Sequence, residues 1–315
     1  MTNPLVLKSI LIKIMIELNN IENSSFENYL PKVPSQFVDE VILDPPYFKV
    51  VNEKWDNQWK SLPDYLKWFE TLMIHVERVS KFSCSLWIFG FPYQLSFIIP
   101  IVEKYGFRYK QAIIIDKGIK SVAGRTSHKL KMFPTATEHV LFFYKDSHNL
   151  VRSLLRKKQE ELKISSKDIN IHLGKAINGG GTWSSIAGKK QSALQYPTKD
   201  DWIKLEKLFG DIYPYDDIVY KFNQEPGLTD VWRDINFYDR SMGKRIHPTQ
   251  KPYDLIKRIV KCSSNENDVV MDVFMGSGMT AKVCKDLKRN FIGCEKEREY
   301  FEKSIDFIGS IHDKV

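Results

Sequence analysis

From Asp268 to Glu295 the chain spells strand, glycine turn, helix, strand, and that order commits it to an α/β architecture. The apolar run Asp268–Phe274 reads as a buried strand, Thr280–Leu287 as a helix and Phe291–Glu295 as the next strand. The turn between the first two is Met275-Gly276-Ser277-Gly278. Glycine lets a backbone turn tightly and approach a ligand, and the following helix offers unpaired N–H groups. Asp272 and Phe274 lead into the turn; Ser277 and Thr280 lie in and just after it. Glu295 ends the second strand, where a Rossmann-like sheet places the carboxylate that grips ribose hydroxyls. The third glycine of a dinucleotide loop is missing, so the turn is not built for a pyrophosphate. Phe274 instead suits the apolar face of an adenosine. Two glycines also fit an ordinary strand-to-helix turn, so a ligand needs support from elsewhere in the chain.

The first half repeats the alternation. Val38–Leu43 is a short apolar strand, Pro63–Phe82 an amphipathic helix and Ser85–Phe89 a second strand. Tyr93–Tyr105 reads as a helix that Pro100 should kink or shorten. Tyr109–Ile115 and His139–Tyr144 are further strands. Strands and helices in alternation imply one sheet with helices on both faces. Near residue 150 the pattern changes. A basic helix, Leu150–Leu162, is followed by polar sequence, a glycine cluster at Gly179–Gly181 and a short helix, Trp202–Phe209. Residues 151–241 therefore read as an inserted module between 1–150 and 242–315. Within the module, Ser165–Leu173 followed by Gly174 has the form of a small helix and turn. Leu5–Ile16 is apolar, but it is short and broken by Lys8 and Lys13. It reads as a packed helix or an upstream extension rather than a membrane span.

The second informative feature is Asp44-Pro45-Pro46-Tyr47, at the C-terminal end of the first strand, the end that faces the ligand crevice in open α/β sheets. These residue types suit one task. The lone pair of an aromatic amine is delocalised into its ring. A carboxylate (Asp44) and a carbonyl turned inward by a proline of fixed φ (Pro45) can both accept from such an NH2 and localise that lone pair. Tyr47 or Phe48 can stack on the base. A plain turn explains the tetrapeptide equally well in isolation. A third segment, Arg245-Ile246-His247-Pro248-Thr249-Gln250-Lys251-Pro252, precedes the helix Tyr253–Lys261. Its helix start and Lys251 can bind a carboxylate, and a proline-capped basic loop is the equal alternative.

Taken together and in this order, the three segments resemble the β-class S-adenosylmethionine-dependent amino-methyltransferases of bacterial restriction–modification systems. The resemblance covers most of residues 17–310 and is weakest over 151–241. It implies a Rossmann-like methyltransferase fold: a seven-stranded, mostly parallel sheet with one antiparallel strand, plus an inserted target-recognition region. It implies S-adenosylmethionine as cofactor and no metal. Asp44, Pro45, Pro46 and Tyr47 become the catalytic block. Asn20, Asp44, His247, Thr249, Lys251, Asp272, Phe274, Gly276, Ser277, Gly278, Thr280 and Glu295 become the cofactor set. Asn20 enters because the Gly-Asp that the family carries ahead of the catalytic block matches Asn19-Asn20 here. Lys251 is expected near the cofactor carboxylate. The Asp-Pro-Pro-Tyr spelling points to N6 of adenine, with cytosine N4 the alternative, and a cofactor-holding DNA-binding subunit without turnover the reading from another class.

The implied partner is double-stranded DNA, and the composition suits it: 47 Lys and Arg against 39 Asp and Glu, a formal charge of +8. Phosphate contacts are expected from Lys117, Lys120, Arg125, Lys129 and Lys131 in the loop Lys117–Thr137, and from Arg152 and Arg156. A solvated charged face is the bland explanation for each. Trp55 and Trp59 are expected either as a lid or as core. The scattered cysteines Cys84, Cys262, Cys284 and Cys294 read as free thiols of a cytoplasmic bacterial protein, nucleoid-associated when acting. A homodimer and a cognate restriction endonuclease are the further partners that the resemblance implies.

Overall fold

Val38–Leu43 sets branched apolar residues around Asp39 and Glu40, and in the computed structural model it is β2, buried at every position in the centre of the sheet. A strand buried at every position needs cover on both faces. The structure describes residues 16–48, 56–122, 131–176, 181–188, 195–239 and 245–309. Around β2 stand β1 (Asn20–Asn23), β3 (Ser80–Gly90), β4 (Phe107–Asp116), β5 (Thr137–Lys145), β6 (Val231–Trp232), β7 (Val269–Asp272) and β8 (Asn290–Glu295), in the order β1-β8-β7-β2-β3-β5-β4-β6. β5 alone is reversed, pairing antiparallel with both β3 and β4. The expected seven strands thus become eight, because the two-residue β6 adds to Ile114 and Ile115 of β4. Nothing in a two-residue strand is periodic, so no pattern announces it.

The expected helices of the catalytic unit form close to their expected limits. α1 (Phe26–Tyr29) is one turn directly after β1. α2 (Leu62–Val79) starts on a capping box, with the Ser61 hydroxyl and the Asp64 carboxylate each bonding the other's backbone N–H, and with proline in its first turn. Its Phe69, Leu72, Met73 and Val76 are buried together with Leu86 and Ile88 of β3 in the main core. α3 (Pro92–Lys104) continues past Pro100 and is not shortened there. Ser96, whose carbonyl loses its partner there, lies with Pro100 on the exposed face, so water can satisfy it.

By compactness the chain divides at Asp146 and Tyr220: residues 146–220 form one unit, and 1–145 with 221–315 the other. The insert is therefore smaller than the expected 151–241, since 221–239 returns to the sheet unit through β6. The insert is helical: α4 (His148–Leu162), α5 (Ser166–Leu173), α6 (Gly181–Ala187), α7 (Lys199–Phe209) and α8 (Tyr215–Ile218). Trp183, Trp202, Leu155, Ile169 and Leu205 form its own core. The expected element at 165–174 is α5, capped by Ser165 and closed by Gly174 at φ +72°. In the sheet unit, α9 (Tyr253–Ser263), α10 (Met279–Asp286) and α11 (Arg298–Gly309) flank β7 and β8 in sequence. The segment Leu5–Ile16 lies outside the described residues except for Ile16. Among the described residues no helix is long and apolar enough to cross a membrane.

Candidate active site

β2 and β7 are parallel neighbours, with Val41 level with Met271. Extending that register carries Asp44 and the start of the glycine turn out of the same edge of the sheet. They line one cavity of about 640 Å³, inside the range of small-ligand sites, about 300–1,000 Å³. Asp44, Pro45, Pro46 and Tyr47 form part of its wall, and Asp272, Phe274, Gly276, Ser277, Thr280 and Glu295 another part. His247, Thr249 and Lys251 close it from the segment before α9.

The glycine turn is held by two carboxylates. Asp272 accepts the N–H of Phe274 at 2.9 Å and the hydroxyl of Thr280 at 2.6 Å. Burial pushes its carboxyl up to about 7, and those two bonds oppose the shift. Glu295 accepts the N–H of Gly276 at 2.7 Å and of Glu297 at 2.8 Å. Burial raises it too, against backbone bonds from Glu297, Gly276 and Lys296. A carboxylate has about four lone pairs, which leaves acceptor capacity for a ligand. Gly276 and Gly278 sit at φ +52° and +79°, a region that costs other residues about 1–2 kcal/mol. Phe274 packs near Phe26 and Trp68, with ring centroids at 6.1 and 6.0 Å.

The catalytic block is enclosed in charge. Asp44 accepts the Tyr47 hydroxyl at 2.7 Å on Oδ1 and faces the Lys251 ammonium at 2.9 Å with Oδ2. Burial raises the Asp44 carboxyl; Lys251 and Tyr47 oppose the rise. Tyr47 is raised as well, by burial and by Asp44. Its N–H is held by Asp56 at 2.7 Å and its ring stands edge-on to Phe91 at 5.4 Å. His247 packs edge-on to Tyr300 at 4.2 Å. Burial, then Lys251, lowers its imidazole to about 4, so it is neutral near pH 7. Lys251 Nζ also lies 2.9 Å from Glu138.

The DNA methylase family profile matches residues 38–306. The chain belongs to the DNA methylase family. Among curated relatives, this methylase is 28% identical over 299 residues to "Type II methyltransferase M1.MboII" of Moraxella bovis, spanning 92% of this chain and 96% of that one. It is 30% identical over 307 residues to "Type II methyltransferase M.BglII" of Bacillus subtilis, spanning 94% and 71%. Two solved structures share the fold at a TM-score of 0.55. One is titled as an M1.HpyAVI-SAM complex (20% identity, 92% and 98% covered) and the other as PvuII DNA methyltransferase, cytosine-N4-specific (15%, 93% and 86%).

Several expected positions fall elsewhere in the methylase. Asn20 opens β1, level with Ile292, whereas Asn23 is level with Glu295 at the cavity edge. Asn20 is exposed, bonds Glu17 and does not line the cavity. The residues after β1 that do line it are Ser25, Phe26 and Glu27. The mismatch is one of strand direction: the cavity lies beyond the end of β1, not at its start. Gly278 is also absent from the cavity wall, and its α-carbon faces Ser304 and Ile308 of α11 instead. Phe48 packs on Tyr65 against the core, so that of the two rings Tyr47 is the one that lines the cavity. Trp59 is core, 4.9 Å from Tyr65 and 4.6 Å from Trp68, and Trp55 lies outside the described residues.

Of the expected phosphate contacts, Lys117 lines the cavity and pairs with Glu138 at 3.4 Å. Lys120 and Lys131 are exposed, Arg152 is half-buried, and Arg156 donates to the Ala187 carbonyl at 2.8 Å inside the insert. Arg125 and Lys129 lie outside the described residues. Sequence reasoning missed Glu138 altogether. Its only signal was a carboxylate at the first turn of a strand otherwise apolar from Val140 onward.

Proposed function

We propose that this methylase moves a methyl group from S-adenosylmethionine to N6 of an adenine turned out of duplex DNA. The observation that carries the reading is the meeting of Asp44 and the glycine turn at one cavity, on the neighbouring strands β2 and β7. The residues present fit the cofactor. Glu295 offers its remaining lone pairs to a ribose diol, Phe274 an apolar surface to adenine, and the turn at Gly276 and Ser277 a close backbone. Bound there, S-adenosylmethionine supplies an electrophilic methyl on a sulfonium.

This chain's own part is to place and prepare the amine. Asp44 accepts one amine N–H, which draws the nitrogen lone pair out of the ring. Pro45 lines the cavity beside it, with a carbonyl free of any role in a helix or sheet ladder. Tyr47, braced by Asp56 and Phe91, stacks on the base. Turning the base out of the duplex costs about a few kcal/mol, which phosphate contacts from the exposed Lys120 and Lys131 help to offset. Target reading is assigned to the helical unit Asp146–Tyr220. The family resemblance extends the proposal to a second copy of the chain and a nuclease sharing the target site. The free cysteines suit a reducing cytoplasm.

Cytosine N4 is the second reading, because the PvuII enzyme titled cytosine-N4-specific has the same fold. Incubating the protein with unmodified duplex DNA and methyl-labelled S-adenosylmethionine, followed by nucleoside analysis, tests both. Labelled N6-methyladenine is expected. Labelled N4-methylcytosine would replace the base assignment, and no labelled nucleoside would overturn the activity.

A further inference from the structure

The Lys251 ammonium has three N–H donors, and all three are engaged around the catalytic carboxylate: Asp44 Oδ2 at 2.9 Å, Glu138 Oε1 at 2.9 Å and the Tyr47 hydroxyl at 3.3 Å. The ammonium also lies 4.9 Å from the centre of the Phe89 ring. Its side chain is only 9% exposed, and that of Glu138 16%. Glu138 stands near the start of β5, paired with Ile115 of β4, and its second oxygen faces Lys117 at 3.4 Å. The result is an alternating row, Lys117, Glu138, Lys251, Asp44, ended by the Tyr47 hydroxyl.

In this resting arrangement Tyr47 donates to one Asp44 oxygen and a full positive charge sits on the other. Each oxygen keeps a lone pair, but a carboxylate neutralised in this way is a weaker acceptor for a neutral amine. Asp44 acts more strongly on the target amine when Lys251 shifts its weight to another anion, and Glu138 is already in contact with it. The fate of Lys251 decides how strongly Asp44 acts. Resting on the proposed amine chemistry, we propose that Glu138 is a positioning residue: it is the second carboxylate for Lys251, and it draws the ammonium off Asp44 when the amine docks. No covalent bond and no proton moves in this exchange, only a shared hydrogen-bond donor.

The test is Glu138→Gln in the full-length protein, assayed for methyl transfer to unmodified duplex DNA as a function of pH. The charged and titratable groups around the row are Lys117, Lys251, Asp44, Tyr47, the chain neighbour His139, and Asp272 beyond Asp44. Removing the Glu138 charge leaves Lys251 to Asp44 alone. The transfer rate should fall about 10- to 100-fold, as expected for a misplaced catalytic group. Asp44 should ionise more easily, because a neighbouring negative charge is gone and its cation is undivided. The acid limb of the rate profile should therefore move to lower pH while the maximum rate drops. Glu138→Asp should recover part of the rate. An unchanged rate, or a lower rate with the acid limb in place or moved upward, would overturn the proposal. If Glu138→Gln does not fold, Glu138→Asp decides by the same two readouts with smaller expected changes. Wild-type protein that transfers no methyl would fail the underlying activity instead, so the two failures are distinct.

Discussion

The two glycines of the cofactor turn should fail in different ways when given a methyl group. A Cβ on Gly278 would lie 3.0 Å from Ile308 Cδ1 and 3.1 Å from Ser304 Cβ, at a residue with φ +79°. The left-handed backbone costs about 1–2 kcal/mol and the crowding about 1–2 more. Gly278→Ala should thus lose about 2–4 kcal/mol, a large share of a total stability of about 5–15 kcal/mol. For a chain of this size that is a drop in Tm of about 3–6 °C. A Cβ on Gly276 meets only the His247 ring, at 3.7 Å, an ordinary contact. Gly276→Ala should cost only the backbone part, about 1–2 kcal/mol. Its methyl, however, enters the cavity wall next to the N–H that Glu295 holds. Affinity for S-adenosylmethionine should fall about tenfold or more, equivalent to at least about 1.4 kcal/mol. Thermal melting of the ligand-free variants and calorimetric titration with S-adenosylmethionine separate the two effects. The reasoning fails if Gly278→Ala melts like the wild type, or if it loses cofactor affinity while Gly276→Ala keeps it.

Asp44→Ala should abolish methyl transfer, a loss of at least about 100-fold for a group acting directly on the reacting nitrogen, while duplex binding by gel shift persists. In the wild type the ionised Asp44 is the active form and burial raises its carboxyl. The transfer rate should therefore fall on acidification at a pH above the ordinary aspartate range, and a profile flat down to that range would contradict this. Glu40 is fully buried, is hydrogen-bonded to the Ser263 hydroxyl at 2.6 Å, and burial raises its carboxyl to about 8. A raised acid contributes stability that is present below its unfolded value and lost as pH rises through 8. Glu40→Gln should therefore gain stability on the wild type between pH 6 and pH 9, by about 3 kcal/mol for the two pH units up to 8; a pH-independent difference would refute it. Arg156→Ala should loosen the helical insert, because its guanidinium ties α4 to the Ala187 carbonyl. Proteolysis within 146–220 should rise, and the salt dependence of DNA binding should stay close to that of the wild type.

The parts of the site legible in the sequence were those whose chemistry is local. Asp44-Pro45-Pro46-Tyr47 and Met275–Gly278 each combine a strand end with residues of unusual backbone habit, and such signals survive without knowledge of the fold. Strand order is not local. That β2 and β7 lie side by side, more than 200 residues apart, follows from core packing and could be expected only through the family resemblance. Asn20 shows the limit well: the short β1 has no alternation, so its direction and its cavity end were not readable, and the ligand-facing residues Ser25 and Phe26 were passed over. Glu138 was hidden for another reason. A carboxylate near the start of a strand is ordinary in sequence, and its meaning comes only from Lys251 and Lys117 arriving from elsewhere. Gly278 is expected in the cofactor set, and what demands a glycine there is the backbone at φ +79° together with Ser304 and Ile308 of α11.

The electrostatics of the cavity run opposite to those of the chain. The protein as a whole is basic, at +8, yet the cavity wall carries Glu27, Asp44, Asp56, Glu138, Asp272, Glu295 and Glu297 against Lys117, Lys251, Arg245 and Lys296. A phosphate entering that space would face more carboxylates than cations, in surroundings where charges are poorly screened. The absence of a pyrophosphate-binding glycine at the turn is therefore matched by an unfavourable field. A sulfonium and a neutral base are favoured in the same field. Duplex DNA drawn to the basic exterior with its backbone outside this field is the arrangement that the proposed turning-out of the target base calls for.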